Sequence, residues 1–322
     1  MVFAAQRPIR VFGRGEGSFT VTFAHQQREA QCENGAWFVE MDPMPYGGPY
    51  TLTLTTEEGQ TVLEDIYVGE VYLMSGQSNM QFKLSSSNYP KENYASNPML
   101  RLFAAKRLEE GEPYTPADGW IVADKETVGN WTALGYLAGQ LRAATGIAVG
   151  IIGCYQGASI IESWLPKGTL EKLGIEISPE GRNADHSSNI YKNWNRHGAL
   201  YEGSLSTLFP FSLSAVVWYQ GESNWYPEES RVYGKELEEM LRVWRQDFQD
   251  ETLPFVIVQI ADYVNRLGEG WTNIQTAQQE IQFRVPAVKT VISADISETD
   301  DIHPPTKDLL AARIAEALGQ LL

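Results

Sequence analysis

Leu73-Met74-Ser75-Gly76-Gln77-Ser78-Asn79-Met80 decides how this chain is read. The apolar run Val71 to Met74 is strand-like and enters a Gly-containing turn, a geometry that holds a hydroxyl out at the end of a sheet. A serine there is a weak nucleophile without a base to take its proton. The chain has 4 histidines. One of them, His303, lies late, in Thr299-Asp300-Asp301-Ile302-His303-Pro304, with carboxylates two and three residues upstream. A serine early, with acid and histidine late and nearly adjacent, is an order that points to a hydrolase.

Outward from Ser78 the pattern divides. Before it, Ser18 to Phe23 and Tyr50 to Thr55 alternate apolar and polar, Trp37 to Met41 is a shorter run, and Asn34-Gly35 and Glu58-Gly59 supply turns. Short strands without helical period predict a small β-sandwich module over residues 1–65, bordered near Asp65. After it, Ala148 to Cys154, Ala215 to Tyr219, Pro254 to Ile260 and Thr290 to Ala294 are near-continuous apolar runs, the signature of parallel strands covered on both faces. Helices are expected at Trp131 to Ala144, ending before Gly146; at Tyr233 to Phe248, with Leu237, Met240, Leu241 and Trp244 inward and Glu236, Glu238 and Glu239 outward; and at Leu309 to Leu322. The expected fold class is therefore α/β, with a mainly parallel sheet over residues 66–322.

A net charge of −16 argues against nucleic acid, whose phosphates reward Lys/Arg patches. No apolar run approaches the roughly 18 residues that span a bilayer, so no membrane partner is expected. No signal-peptide pattern opens the chain, and Cys32 and Cys154 lie in unrelated contexts. The expectation is a reducing, cytoplasmic setting without a disulfide, a trimmed secreted form being the alternative. No His-x-x-x-His or Cys-x-x-Cys spacing supports a metal, and no cofactor is expected. Residues 168–200 are rich in Asn, Ser, Gly and Lys, and read as a long functional or mobile loop. Its His186 and His197 are read first as solvated or structural, second as substrate contacts.

Acyl transfer needs a nucleophile, a base, a group that orients the base and donors for the oxyanion. Each has a candidate after an expected strand. Ser78 follows the first, Gly157 follows Cys154, Asn224 follows Tyr219 and His303 follows the last. In open α/β sheets, ligands bind outside the carboxyl ends of the strands, so four segments converge on one edge. Each also has a plainer reading, Gly157 as relief of crowding and Asn224 as a helix cap. The Gly-x-Ser-x-Gly elbow of α/β-hydrolases is absent. Glu222 with Asp300 or Asp301 raises a glycosidase alternative, but Glu222 is better explained as support for the Asn224 loop.

Gly76-Gln77-Ser78-Asn79-Met80, Gln220-Gly221-Glu222-Ser223-Asn224 and Asp301-Ile302-His303-Pro304 resemble the blocks of the SGNH hydrolases, and more narrowly their sialate O-acetylesterase-like branch, which includes bacterial carbohydrate acetylesterases. The resemblance extends to Gly157 to Trp164, Leu200 to Gly203 and Arg7 to Gly13. It implies a flavodoxin-like three-layer α/β/α domain and a serine esterase removing acetyl groups from sugar hydroxyls. Ser78 would be the nucleophile and His303 the base, with an oxyanion hole of the Ser78 N–H, the Gly157 N–H and the Asn224 amide. Gln77, Gln156, Glu222 and Trp225 would lie against substrate, although Trp225 and Tyr226 serve equally well as packing residues. Many relatives read Gly-Gly-Thr where this chain has Gly157-Ala158-Ser159. The three-residue spacing of SGNH enzymes selects Asp300 as the acid; the Asp-Ile-His-Pro pattern of the branch selects Asp301; a Ser-His dyad is the third option. A silent glycan-binding protein and a short-chain esterase for non-sugar acyl groups are the alternatives in function.

Overall fold

The computed structural model describes residues 1–109, 112–114, 119–176 and 194–322. His186 and much of the 168–200 loop therefore lie outside the described residues. In chain order the strands are β1 (Val2–Ala4), β2 (Ile9–Arg14), β3 (Ser18–Phe23), β4 (Gln26–Gln31), β5 (Ala36–Met41), β6 (Gly47–Thr56), β7 (Gly59–Gly76), β8 (Asn97–Ala104), β9 (Arg107–Glu109), β10 (Glu112–Tyr114), β11 (Ile121–Ala123), β12 (Val149–Tyr155), β13 (Ala215–Tyr219), β14 (Phe255–Val258) and β15 (Val288–Val291). The α-helices are α1 (Ser78–Gln81), α2 (Ala133–Ala143), α3 (Thr169–Lys172), α4 (Ala199–Gly203), α5 (Pro227–Asp247), α6 (Glu269–Arg284) and α7 (Asp308–Leu321).

The central sheet runs in the order β11-β8-β12-β7-β13-β14-β15, and all its pairings are parallel except β11 with β8. Its members read as apolar runs because both faces are covered: all five residues of β13 are 0% exposed. Burying a Val-sized side chain contributes about 1.5–3 kcal/mol, so these strands anchor the sheet. Helix α2 packs against α7, and α5 against α6. A β-carbon on Gly139 of α2 would lie 2.6 Å from a Leu100 methyl, so the bare backbone is what lets this helix press onto β8.

The N-terminal strands join this sheet through β7. Its first half pairs antiparallel with β6, which pairs with β3, while β1 runs parallel beside Tyr67, Val68 and Gly69. Strands β2 and β5 form a separate antiparallel pair. The border expected near Asp65 falls inside β7; Asp65 itself takes a left-handed φ of 58° and pairs with Arg101 at 3.0 Å. Buried side chains nevertheless fall into two clusters, one around Phe3, Val21, Phe23, Leu52 and Val68, the other around the central sheet.

Three differences from the sequence reading have physical reasons. Glu236, expected outward, is fully buried; it is three residues after Tyr233 and four before Met240, and so shares their stripe on α5. Helix α6 was not expected, because its buried face mixes Trp271, Ile274 and Ile281 with the amide of Gln278. Strand β15 starts two residues before the expected apolar run, at Val288, and ends at Val291. Among the described residues no helix is long and apolar enough to cross a membrane.

Candidate active site

Strand β7 is central, with β12 on one side and β13 on the other. The segments that follow these three strands carry Ser78, Gly157 and Asn224, so sheet order alone brings them together. At the end of β7 the chain must turn inside a crowded corner. Gly76 has φ 136°, and a β-carbon there would sit 2.1 Å from the Tyr219 carbonyl oxygen. Only glycine takes that conformation without strain. The Gln77 N–H donates to the same carbonyl at 3.0 Å, and Ser78 opens the single turn α1.

Ser78 and His303 meet. The Ser78 Oγ lies 2.8 Å from His303 Nε2 across 225 residues of sequence. Both residues are half-buried, and the imidazole stacks on Phe82 with ring centroids 6.3 Å apart. Burial is the main influence on the imidazole and pushes its pKa below the usual histidine value; Asp301 opposes that shift and Lys307 adds to it.

The two candidate acids are placed differently. Asp301 Oδ1 accepts the backbone N–H of His303 at 2.8 Å. Asp300 is exposed, and among the described residues its carboxylate takes part in no hydrogen bond or ion pair. The spacing that selects Asp300 therefore does not bring it to the imidazole.

Gly157 stands beside the serine: a β-carbon built on it would be 3.7 Å from Ser78 Cβ. Its N–H donates to Gln81 Oε1 at 2.9 Å. The neighbouring Ala158 has a left-handed φ of 56°. Asn224 is fully buried. Its Nδ2 donates to both Glu162 oxygens at 3.1 and 3.0 Å, and its Oδ1 accepts from the Ile161 N–H and the Gln220 amide.

The residues expected against substrate lie mostly behind the site. Gln77, Gln156 and Glu222 are each 3% exposed. Gln77 Oε1 accepts the N–H groups of Gly221 and Ser223, and the Gln156 N–H donates to the Gly76 carbonyl. Burial raises the pKa of Glu222, whose Oε1 accepts from Asn79. Trp225 is half-buried, tilted against Tyr226, with the Arg266 guanidinium 4.9 Å from its ring centre.

Sequence reasoning missed Lys307 and Asn79. Lys307 is 2% exposed, and its Nζ donates to Asn79 Oδ1 at 2.8 Å. The available signal was a lysine four residues past His303 in an otherwise acidic segment. A cleft of about 760 Å³, lined in part by Phe12, Trp37, Phe38, Lys106 and Phe209, shares no residue with this site. No group of three metal-ligating side chains occurs among the described residues.

With this geometry stand the relatives. The profile of the carbohydrate esterase, sialic acid-specific acetylesterase family matches residues 68–320. Mouse sialate O-acetylesterase is 28% identical over 370 residues, covering 94% of this chain and 68% of the mouse protein. The human sialate O-acetylesterase is 26% identical, with coverages of 94% and 65%. The crystal structure of a carbohydrate acetylesterase from Xanthomonas citri, 28% identical, superposes with a TM-score of 0.84 over 99% of this chain and 72% of that one. The match runs from the middle of β7 to the last turn of α7 and takes in Ser78, Gly157, Asn224 and His303. This chain belongs to the carbohydrate esterase, sialic acid-specific acetylesterase family, and it is a carbohydrate esterase.

Proposed function

We propose that the protein removes O-acetyl groups from sugar hydroxyls through an acetyl-enzyme on Ser78. The observation that carries this reading is the 2.8 Å approach of Ser78 Oγ to His303 Nε2 at the carboxyl end of β7. The pair can act as nucleophile and base when the imidazole proton resides on Nδ1, which leaves Nε2 free to accept. Ser78 Oγ then bonds to the acetyl carbonyl carbon while His303 takes its proton. The imidazolium returns that proton to the departing sugar oxygen, and water activated by the same histidine releases acetate.

The oxyanion would be met by the N–H groups of Ser78 and Gly157. The second now holds the Gln81 amide oxygen, so the substrate carbonyl would take Gln81's place. Asn224 suits a supporting role better than direct donation, since its amide already serves Glu162 in a fully buried position. We assign Gln77, Gln156 and Glu222 to the same supporting frame, and Asp301 to bracing and charging His303. We further read the catalytic unit as a flavodoxin-like three-layer domain and the first 65 residues as a β-sandwich module.

The substrate class is an acetylated plant polysaccharide, an oligosaccharide or sialic acid, and the −16 charge mildly disfavours the anionic one. Acetate release from a panel of acetylated glycans, with Ser78→Ala as control, tests the assignment. Hydrolysis of butyrate esters as fast as acetate would favour a general short-chain esterase. Glycan binding without Ser78-dependent acetate release would favour a silent binding protein.

A further inference from the structure

The residues flanking the candidate pair are bonded to each other. Asn79 follows Ser78, Ile302 precedes His303, and Asn79 Nδ2 donates to the Ile302 carbonyl at 2.9 Å. The same nitrogen donates to Glu222 Oε1 at 2.6 Å, while Asn79 Oδ1 accepts from Lys307 Nζ at 2.8 Å. A primary amide has two N–H donors and one carbonyl, so these three bonds use all the groups it has. They also fix its orientation, because a flipped amide would set N–H groups against an ammonium and an oxygen against the Ile302 carbonyl. Asn79, Glu222 and Lys307 are 1%, 3% and 2% exposed, which leaves water little chance to replace a lost partner.

Lys307 is itself held firmly. It is the residue before α7, and its Nζ lies 5.0 Å from the ring centre of Phe82 and 5.8 Å from that of Tyr219. Phe82 is also the ring on which His303 stacks. The ammonium and the imidazole thus share one aromatic neighbour.

We propose that Lys307 is a positioning residue for the esterase reaction: its ammonium locks the Asn79 amide that ties the nucleophile turn to the histidine loop. This rests on Ser78 and His303 being nucleophile and base. Asp301 and Lys307 act on His303; Glu222, Glu298 and Asp301 act on Lys307; Arg266 and Lys307 act on Glu222. A nearby positive charge disfavours imidazolium, and Asp301 offsets this when the imidazolium forms. Burial pulls the Lys307 pKa down to about 8, so the lock should weaken as pH rises through that value.

The test compares wild type, Lys307→Met, Asn79→Asp and Ser78→Ala, using 4-nitrophenyl acetate turnover and the NMR titration of His303. In Lys307→Met, kcat should fall roughly 10- to 100-fold with KM little changed. The His303 titration and the acid limb of kcat/KM should move up by roughly half a unit to one unit. A folded Lys307→Met with wild-type kcat overturns the proposal. Should that variant fail to fold, Asn79→Asp decides, since it keeps an acceptor for Lys307 but loses both donors: the bond to Ile302 requires a fall in kcat, and wild-type turnover overturns it. Full activity in Ser78→Ala would sink the underlying reading instead, whatever Lys307 does.

Discussion

Asp301 and His303 are joined through the main chain: the carboxylate Oδ1 accepts the His303 backbone N–H at 2.8 Å. A side chain bonded two residues on is a local turn device, and here it braces the loop that presents the imidazole. Its negative charge also favours the imidazolium as it forms. Asp301→Ala should therefore lower kcat by roughly 10- to 100-fold through misplacement and lost charge, while Asp300→Ala stays near wild type. Steady-state turnover of both variants decides it. A collapse confined to Asp300→Ala would restore the three-residue spacing as the rule for this chain.

Ser78→Ala and His303→Ala should each lower kcat/KM by about 10⁴-fold or more, and the double variant should be no worse than either single one. Groups that act as a unit are not additive. Losses that multiply in the double variant would mean that the two residues do not cooperate in one step.

Burial lowers the His303 pKa, so the base stays unprotonated to more acidic pH than a free histidine. The acid limb of kcat/KM should lie below the ordinary histidine value of 6.5. The same shift carries a stability sign. With the folded-state pKa depressed, the unfolded chain binds more protons as pH falls below 6.5, so this contribution to stability is present above 6.5 and is lost as pH drops through the folded value. A limb at or above 6.5 contradicts the burial argument.

Removing the Asn224 amide strips two donor contacts from the buried Glu162 carboxylate. Asn224→Ala should cost about 2–3 kcal/mol of stability in urea unfolding. An unchanged unfolding midpoint with a 10²- to 10³-fold fall in kcat, roughly what an oxyanion donor contributes, would instead make Asn224 a direct donor.

Ala158 takes φ 56°, a conformation that costs an L-residue roughly 1–2 kcal/mol. Ala158→Gly relieves that strain but adds freedom to the unfolded chain, so the net gain should be about 0.5–1 kcal/mol. Thermal or urea unfolding reads it directly, and a destabilised variant would show that the methyl is engaged.

Much of the fold can be read from local pattern. Ala215–Tyr219 was expected as a strand and has those bounds, because a doubly covered parallel strand leaves an unbroken apolar run. Helix α5 was found from its stripe of Leu237, Met240, Leu241 and Trp244, though it begins six residues earlier, at Pro227. Helix α6 escaped because Gln278 occupies its buried face, where it donates to the Gln220 carbonyl at 2.7 Å and accepts from the Ile260 N–H at 2.9 Å. A polar side chain satisfied only by distant backbone cannot be told in advance from a solvent-facing one.

From Gly76-Gln77-Ser78-Asn79-Met80 and the Asp301-Ile302-His303 segment, the strand-and-turn chemistry and the candidate pair follow without coordinates, since each depends on neighbours along the chain. Tertiary structure alone decided which groups surround that pair. Lys307 and Glu222 are 85 residues apart in sequence, yet both meet the Asn79 amide. Asp301 rather than Asp300 bonds to His303, and Asn224 turns inward to Glu162. Hydrogen-bond partners and burial depend on atoms brought together across the sheet edge, and sequence spacing carries no information about that distance.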